Sequence, residues 1–142
     1  RKKVPSVIFN DSVNLTVFYS PTGGSAKLLL WVKHGKIKGI ISEVILDEVI
    51  MRSGKIRLTE EKAKNQISII FSTILPAPAA LNVSKYNKLV IDQGDAHVLA
   101  SSYEAKAKFL VTLDRKHLLI LSSKVKTIKI VSPKQLIEKL SD

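Results

Sequence analysis

Two short runs of the chain, residues 4–9 (VPSVIF) and 109–113 (FLVTL), are apolar at nearly every position rather than at every second one. A strand with one wet face alternates apolar and polar residues, whereas an unbroken apolar strand has to be covered on both sides. Covering both faces of a sheet takes helices on each. A chain built on such runs is therefore constrained towards a parallel sheet between helical layers.

The intervening segments supply those helices. Residues 12–19 follow the first strand with a helical pattern, and SPTGGS reads as a loop. Ser25 caps a helix through AKLLLWVKH, which Gly35 ends. Gly39-Ile40-Ile41 reads as a strand, after which Ser42 caps the helix EVILDEVIMRS, closed by Gly54. Thr59 caps a longer helix, EEKAKNQISIIFSTIL, with its acids in the first turn where the helix dipole favours them. Pro76 and Pro78 end that helix. Residues 81–83 read as another short strand, and Gly94 precedes the helix DAHVLASSYEAKA. Residues 128–131 form the last strand, and Pro133 opens the helix KQLIEKL at a position where proline is tolerated. The expected fold is α/β, a three-layer sandwich with a central, mainly parallel sheet flanked by helices.

A length of 142 residues with 45% hydrophobic content supports a single domain, residues 1–142, with a core that needs no staples. Cysteine is absent, which excludes disulfides, thiolate nucleophiles and sulfur-ligated zinc. No apolar run approaches the roughly 20 residues that span a bilayer. After the basic start Arg1-Lys2-Lys3, the residues Pro5, Asn10 and Asp11 break up any signal-peptide core. A cytoplasmic protein without a membrane segment is expected. The 23 Lys and Arg against 12 Asp and Glu leave a net charge of +11, which favours a polyanionic partner such as nucleic acid.

In open α/β sheets ligands bind beyond the carboxyl ends of the strands. Asn10 and Asp11 follow one predicted strand there, and Asp114 follows another. Glu48 sits on a helix with Val44 and Ile45 on its own side, a more apolar flank than a free surface acid needs. Asp95 opens a helix and shares a face with Val98 and Leu99. Taken singly, Asp95 reads as a helix-start acid, Glu48 as an exposed one and Asp114 as a turn former. Together they form a set of acids in a basic chain, which calls for a compensating cation, and hard divalent ions take oxygen ligands. His34, His97 and His117 lack the H-E-x-x-H spacing of a zinc hydrolase, and His97, two residues beyond Asp95, reads as structural or surface. PTGGSAK is not a phosphate loop, and no G-x-S-x-G elbow is present.

The ordered set VIFNDSVNL, SEVILDEV, GDAHVLASS and VTLDRKHL, closed by IKIVSPKQLIEKL, resembles the PIN-domain family, which includes the toxins of VapBC-type toxin–antitoxin modules. SPTGGSAKLL resembles the loop-to-helix segment of one PIN subgroup. The resemblance covers nearly the whole chain, and the ordered set carries it rather than any single motif. It implies a ribonuclease with three or four acids around Mg²⁺ or Mn²⁺. Glu48 in ILDEV matches the acid of the family's second element, Asp95 in DAHVLA the acid that opens the later helix, and Asp114 in VTLDRK the acid after the fourth strand. Ser12 matches the small polar residue beyond the family's first Asp and would support the ligands.

The first acid departs from the pattern. An ungapped match puts Asn10 at the family's leading Asp; a shift by one residue puts Asp11 there. The implied metal set is thus Asn10, Asp11, Glu48, Asp95 and Asp114, with Asp11, Glu48, Asp95 and Asp114 as the catalytic acids. The reaction would be hydrolysis of a phosphodiester by a metal-activated water, with Glu48 or Asp95 taking the proton. Lys27, Arg52, Arg115 and Lys116 would contact RNA phosphates. Tyr19, Trp31 and Tyr103 are candidates to stack on bases, although LLLWV reads as a buried stripe and places Trp31 in the core. An antitoxin-like protein partner and a homodimer follow from the same resemblance. The alternative is a PIN-like domain that binds RNA or protein and cuts poorly because Asn10 holds the first acidic position. A small-ligand α/β domain unrelated to nucleases would show no acid cluster.

Overall fold

The computed structural model describes residues 4–16, 18, 22–56 and 58–141. Five strands, β1 (Ser6–Phe9), β2 (Lys38–Ser42), β3 (Thr73–Leu75), β4 (Phe109–Val111) and β5 (Lys129–Val131), form one sheet in the order β3-β2-β1-β4-β5. All four pairings are parallel. The helices are α1 (Asp11–Thr16), α2 (Gly24–Lys33), α3 (Glu43–Ser53), α4 (Glu60–Ile70), α5 (Ala80–Tyr86), α6 (Ala96–Glu104) and α7 (Pro133–Leu140).

Parallel pairing forces crossovers, and right-handed crossovers place α1–α4 on one face of the sheet and α5–α6 on the other. The packing agrees: α3 lies against α1 and α4, and α5 against α6. Val7, Ile8 and Phe9 of β1 and Phe109, Leu110 and Val111 of β4 are all buried, as strands covered on both faces must be. Phe9 meets Phe71 edge to face, with ring centroids 5.2 Å apart. Among the described residues no helix is long and apolar enough to cross a membrane.

Local capping chemistry sets several boundaries. The Ser42 hydroxyl accepts from Ile45 N at 3.1 Å and the Thr59 hydroxyl from Lys62 N at 3.2 Å, so α3 and α4 start where their caps predict. Ser132 and Gln135 form a reciprocal capping box ahead of α7, with Pro133 in its first turn. Helix α6 stops at Glu104, and Lys106 takes a left-handed conformation at φ 51°.

Four expectations are corrected. Ser25 lies inside α2, whose cap is Gly23; the hydroxyl is buried in the helix rather than capping it. The long fourth helix ends at Ile70, and Thr73–Leu75 forms β3 against β2. Pairing to a strand edge overrides local helical pattern for β-branched Thr73 and Ile74. Residues 81–83 are helical, within α5, because a three-residue apolar run carries no periodicity of its own. The helix expected to start at Asp95 is preceded by a 3₁₀ turn, Gln93–Asp95, which moves Asp95 off the α-helical face. The first helix is described through Thr16, and Tyr19 with most of the SPTGGS loop's start lies outside the described residues.

Gly39 in β2 is where the layers come closest. A Cβ there would lie 2.8 Å from Val32 Cγ2 and 2.9 Å from Phe71 Cε1. Phe71 is fully packed and has nowhere to go. Gly39→Ala is expected to destabilise the fold by about 1–3 kcal/mol through overpacking. Urea unfolding measures this; an unchanged midpoint would contradict the close approach.

Candidate active site

The strand order reverses at β1. From there the chain builds outward through β2 and β3, then returns to place β4 on β1's other side. Such a switch point leaves a crevice at the carboxyl ends of the two central strands. Asn10 follows β1 there and Thr112 follows β4.

The two ends are stitched by side chains. Asn10 Nδ2 donates to Thr112 Oγ1 at 2.8 Å, and Asp114 N donates to the same hydroxyl oxygen at 3.1 Å. Ser12 Oγ accepts from Leu113 N at 3.1 Å. Asn10 and Thr112 are buried. Asn10 thus turns its amide towards β4, while its neighbour Asp11, first residue of α1, turns the other way.

Asp11 faces α3. Its side chain is only 7% exposed, and Arg52 Nη1 lies 2.5 Å from its Oδ2. Burial raises the Asp11 pKa, as does the Glu48 carboxylate; Arg52, the Ser12 N–H and His97 pull against them, and the net direction is up. Glu48 and Arg52 are four apart on α3 and so share a face. His97 Nε2 sits 3.4 Å from Glu48 Oε1, bringing α6 to α3 across the top of the sheet.

Asp95 and Asp114 form the other half. Burial, then the negative charges of Asp114 and Asp92, with a smaller push from Glu48, raise Asp95 to about 6 against some relief from His117. Asp95 Oδ2 is buried without a hydrogen-bond partner. Asp114 accepts from His117 N at 2.9 Å through Oδ1 and meets His117 Nδ1 at 3.2 Å through Oδ2. Ligand atoms of Asp92, Asp95 and His117 lie within 4.8 Å of one another.

Asp11, Glu48, Asp95 and Asp114 are therefore linked by charge from one end of the crevice to the other, with Glu48 felt at both Asp11 and Asp95. Their donor chemistry fits a hard divalent cation: several carboxylate oxygens close together, with Asp11 and Asp95 raised in pKa by burial and by neighbouring negative charge that a cation would relieve. His97 does not point elsewhere, as its spacing from Asp95 suggested. With Asp95 in the 3₁₀ turn, the helical angle between them no longer applies. His117 and Asp92 were not singled out in sequence. Their signals were spacing alone: three residues after Asp114 and three before Asp95.

The expected phosphate contacts are dispersed. Arg52 is turned onto Asp11. Arg115 and Lys116 are exposed just past Asp114, and Arg115 borders a cleft of about 270 Å³ shared with Ser132 and Gln135. Through Ser122, Ile130 and Gln135 this cleft joins a larger one, about 630 Å³, lined by Lys126, Lys129 and Lys139. Lys27 lies 5.7 Å from the Trp31 ring. Trp31 packs against the core as its apolar stripe implied, and Tyr103 is exposed beside Lys85.

The raised Asp95 carboxyl sets a pH dependence. Its folded value of about 6 lies above the ordinary 3.8, so the folded state holds the proton more tightly. The resulting stability is present below the ordinary value and is lost as pH rises through about 6. In EDTA, Asp95→Asn is expected to raise Tm over the parent above neutral pH and to change it little in mild acid. A Tm difference independent of pH would contradict the crowding of Asp95 by Asp114 and Asp92.

No curated protein matches the chain. Among solved structures it is similar to VapBC2 from Rickettsia felis bound to a promoter DNA fragment, with 14% identity, 89% of this chain and 98% of that one covered, and a TM-score of 0.66. FitAcB from Neisseria gonorrhoeae gives 17% identity, 90% and 98% coverage and a TM-score of 0.56. VapC20 from Mycobacterium tuberculosis, a sarcin-ricin loop cleaving toxin, gives 14% identity, 78% and 91% coverage and a TM-score of 0.58. At these identities the likeness is one of fold. A family model described as PIN domain matches residues 7–116, most of the chain. With its parallel sheet and its crevice at the switch between β1 and β4, the chain belongs to the PIN-domain family.

Proposed function

We propose that this chain is a metal-dependent ribonuclease of the PIN kind, toxin-like in its action. The observation that carries the reading is the line of carboxylates Asp11, Glu48, Asp95 and Asp114 at the switch point of a chain with net charge +11. A basic surface draws in a polyanion, and the acids hold what its cleavage needs. Mg²⁺ or Mn²⁺ bound there would supply a water of lowered pKa and neutralise charge on the phosphate.

The chain's own groups do the rest. Asp11, Glu48, Asp95 and Asp114 would be the ligands, with Asn10 contributing at most a neutral carbonyl oxygen. Ser12 and Thr112 hold the strand ends in register and keep Asp114 in place. Glu48 or Asp95, whichever is not committed to the metal, takes the proton from the attacking water. Arg115 and Lys116 contact phosphates next to Asp114, and Lys27 lies farther along the surface; such contacts position a strand without reading its sequence. The VapBC2 likeness supports an antitoxin-like protein partner and a homodimer for this chain.

A second reading is favoured by Asn10. In the ungapped register it stands at the family's first acid, and its amide is spent on Thr112. A pocket one charge short would bind RNA or a protein partner and cut slowly.

Cleavage of an unstructured RNA oligonucleotide with Mn²⁺ and with EDTA tests both. The expected result is Mn²⁺-dependent hydrolysis, lost in EDTA and reduced at least about a hundredfold by Asp114→Ala, the scale for losing one electrostatic contact to the transition state. Hydrolysis that survives EDTA would overturn the metal reading. Strong activation by Asn10→Asp would establish the second reading; a large loss on Asp11→Ala with little gain from Asn10→Asp would put Asp11 in the first acid's role.

A further inference from the structure

The crevice carries a fixed positive charge of its own. Arg52 rises from the last turn of α3, one turn beyond Glu48, and its guanidinium reaches Asp11 at the start of α1. The two ends of this contact differ. The Asp11 side chain is 7% exposed, that of Arg52 53%. Asp11 Oδ2 meets a single guanidinium nitrogen, Nη1. A guanidinium that fully satisfied a carboxylate would present two aligned N–H groups to it.

Arg52 differs in kind from the imidazoles of His97, beside Glu48, and His117, beside Asp114: a guanidinium carries a permanent positive charge. A divalent ion entering between Asp11 and Glu48 must therefore share the space with a permanent positive charge or push it out. The exposed, long side chain of Arg52 leaves it free to swing into solvent, whereas buried Asp11 has to stay.

We propose that Arg52 is a resident counterion that holds the Asp11 end of the crevice against metal and has to be displaced before a divalent cation can load there. This rests on the metal-dependent reading above. In this role Arg52 neutralises a buried carboxylate in the metal-free protein, and it sets a threshold of free divalent ion below which the crevice remains closed to metal. It is a different assignment from direct contact with RNA phosphate.

Isothermal titration of Mn²⁺ into the full chain without RNA tests the idea, comparing the parent with Arg52→Gln and Arg52→Lys. Removing the charge is expected to tighten Mn²⁺ binding about three- to tenfold, the range for a partly exposed ion pair coupled to a ligand site. Arg52→Lys keeps the charge and is expected to stay close to the parent. Mn²⁺ binding by the parent that Arg52→Gln leaves unchanged or weakens would overturn the counterion role and leave the nuclease reading standing. Equal tightening by Gln and Lys would overturn it too, since side-chain shape rather than charge would then be responsible. No Mn²⁺ binding by any of the three would overturn the metal-dependent reading, and this inference with it.

Discussion

Strands β1 and β4 are far apart in the chain, yet Val7, Ile8 and Phe9 lie in parallel register with Phe109, Leu110 and Val111. The site depends on that pairing. It sets Asn10 beside Thr112 and fixes where Asp114 leaves the sheet, and it opens the crevice on whose rim α1, α3 and α6 deliver their side chains. The pairing is long-range and parallel, so local propensity alone cannot hold it. Apolar burial on both faces of the two strands does so, and the bonds among Asn10, Ser12, Thr112 and the backbone of Leu113 and Asp114 lock the register at their ends.

The electrostatics of the crevice run against those of the chain as a whole. The protein carries excess positive charge, but its central strands end among carboxylates. Three of the acids each meet a basic side chain: Asp11 meets Arg52, Glu48 meets His97 and Asp114 meets His117. Asp95 is raised to about 6, with burial and the charges of Asp114, Asp92 and Glu48 behind it against some relief from His117. A divalent cation beside Asp95 would relieve the burial and repulsion that make it costly in the metal-free protein.

Much of this was legible in residue order. The strands VPSVIF and FLVTL, the caps Ser42 and Thr59 and the proline at the start of α7 rest on short-range rules, and the structure obeys them to within a residue or two. Thr73–Leu75 and Ala80–Tyr86 were misread because their local patterns are weak: the first is a strand only because β2 offers an edge, the second a helix because it packs on α6, with Glu104 accepting from Ala79 N and Asn82 Nδ2 at its start. Near the crevice, Asp11, Asp95 and Asp114 could be named from their positions at element ends and Glu48 from its apolar flank, while Asp92, His97 and His117 could not. A histidine's role depends on which carboxylate it meets in space.

By itself the sequence determined the layered α/β class and the excess of positive charge, because strand burial, capping and net charge are properties of short segments or of simple counts, and its ordered acids carried the resemblance to the PIN family. Only the tertiary structure decided which way Asn10 and Asp11 each turn. Consecutive residues at a strand-to-helix corner diverge, and which way each turns depends on partners from elsewhere in the chain: Thr112 draws the Asn10 amide towards β4, and Arg52 with Glu48 leaves Asp11 facing α3.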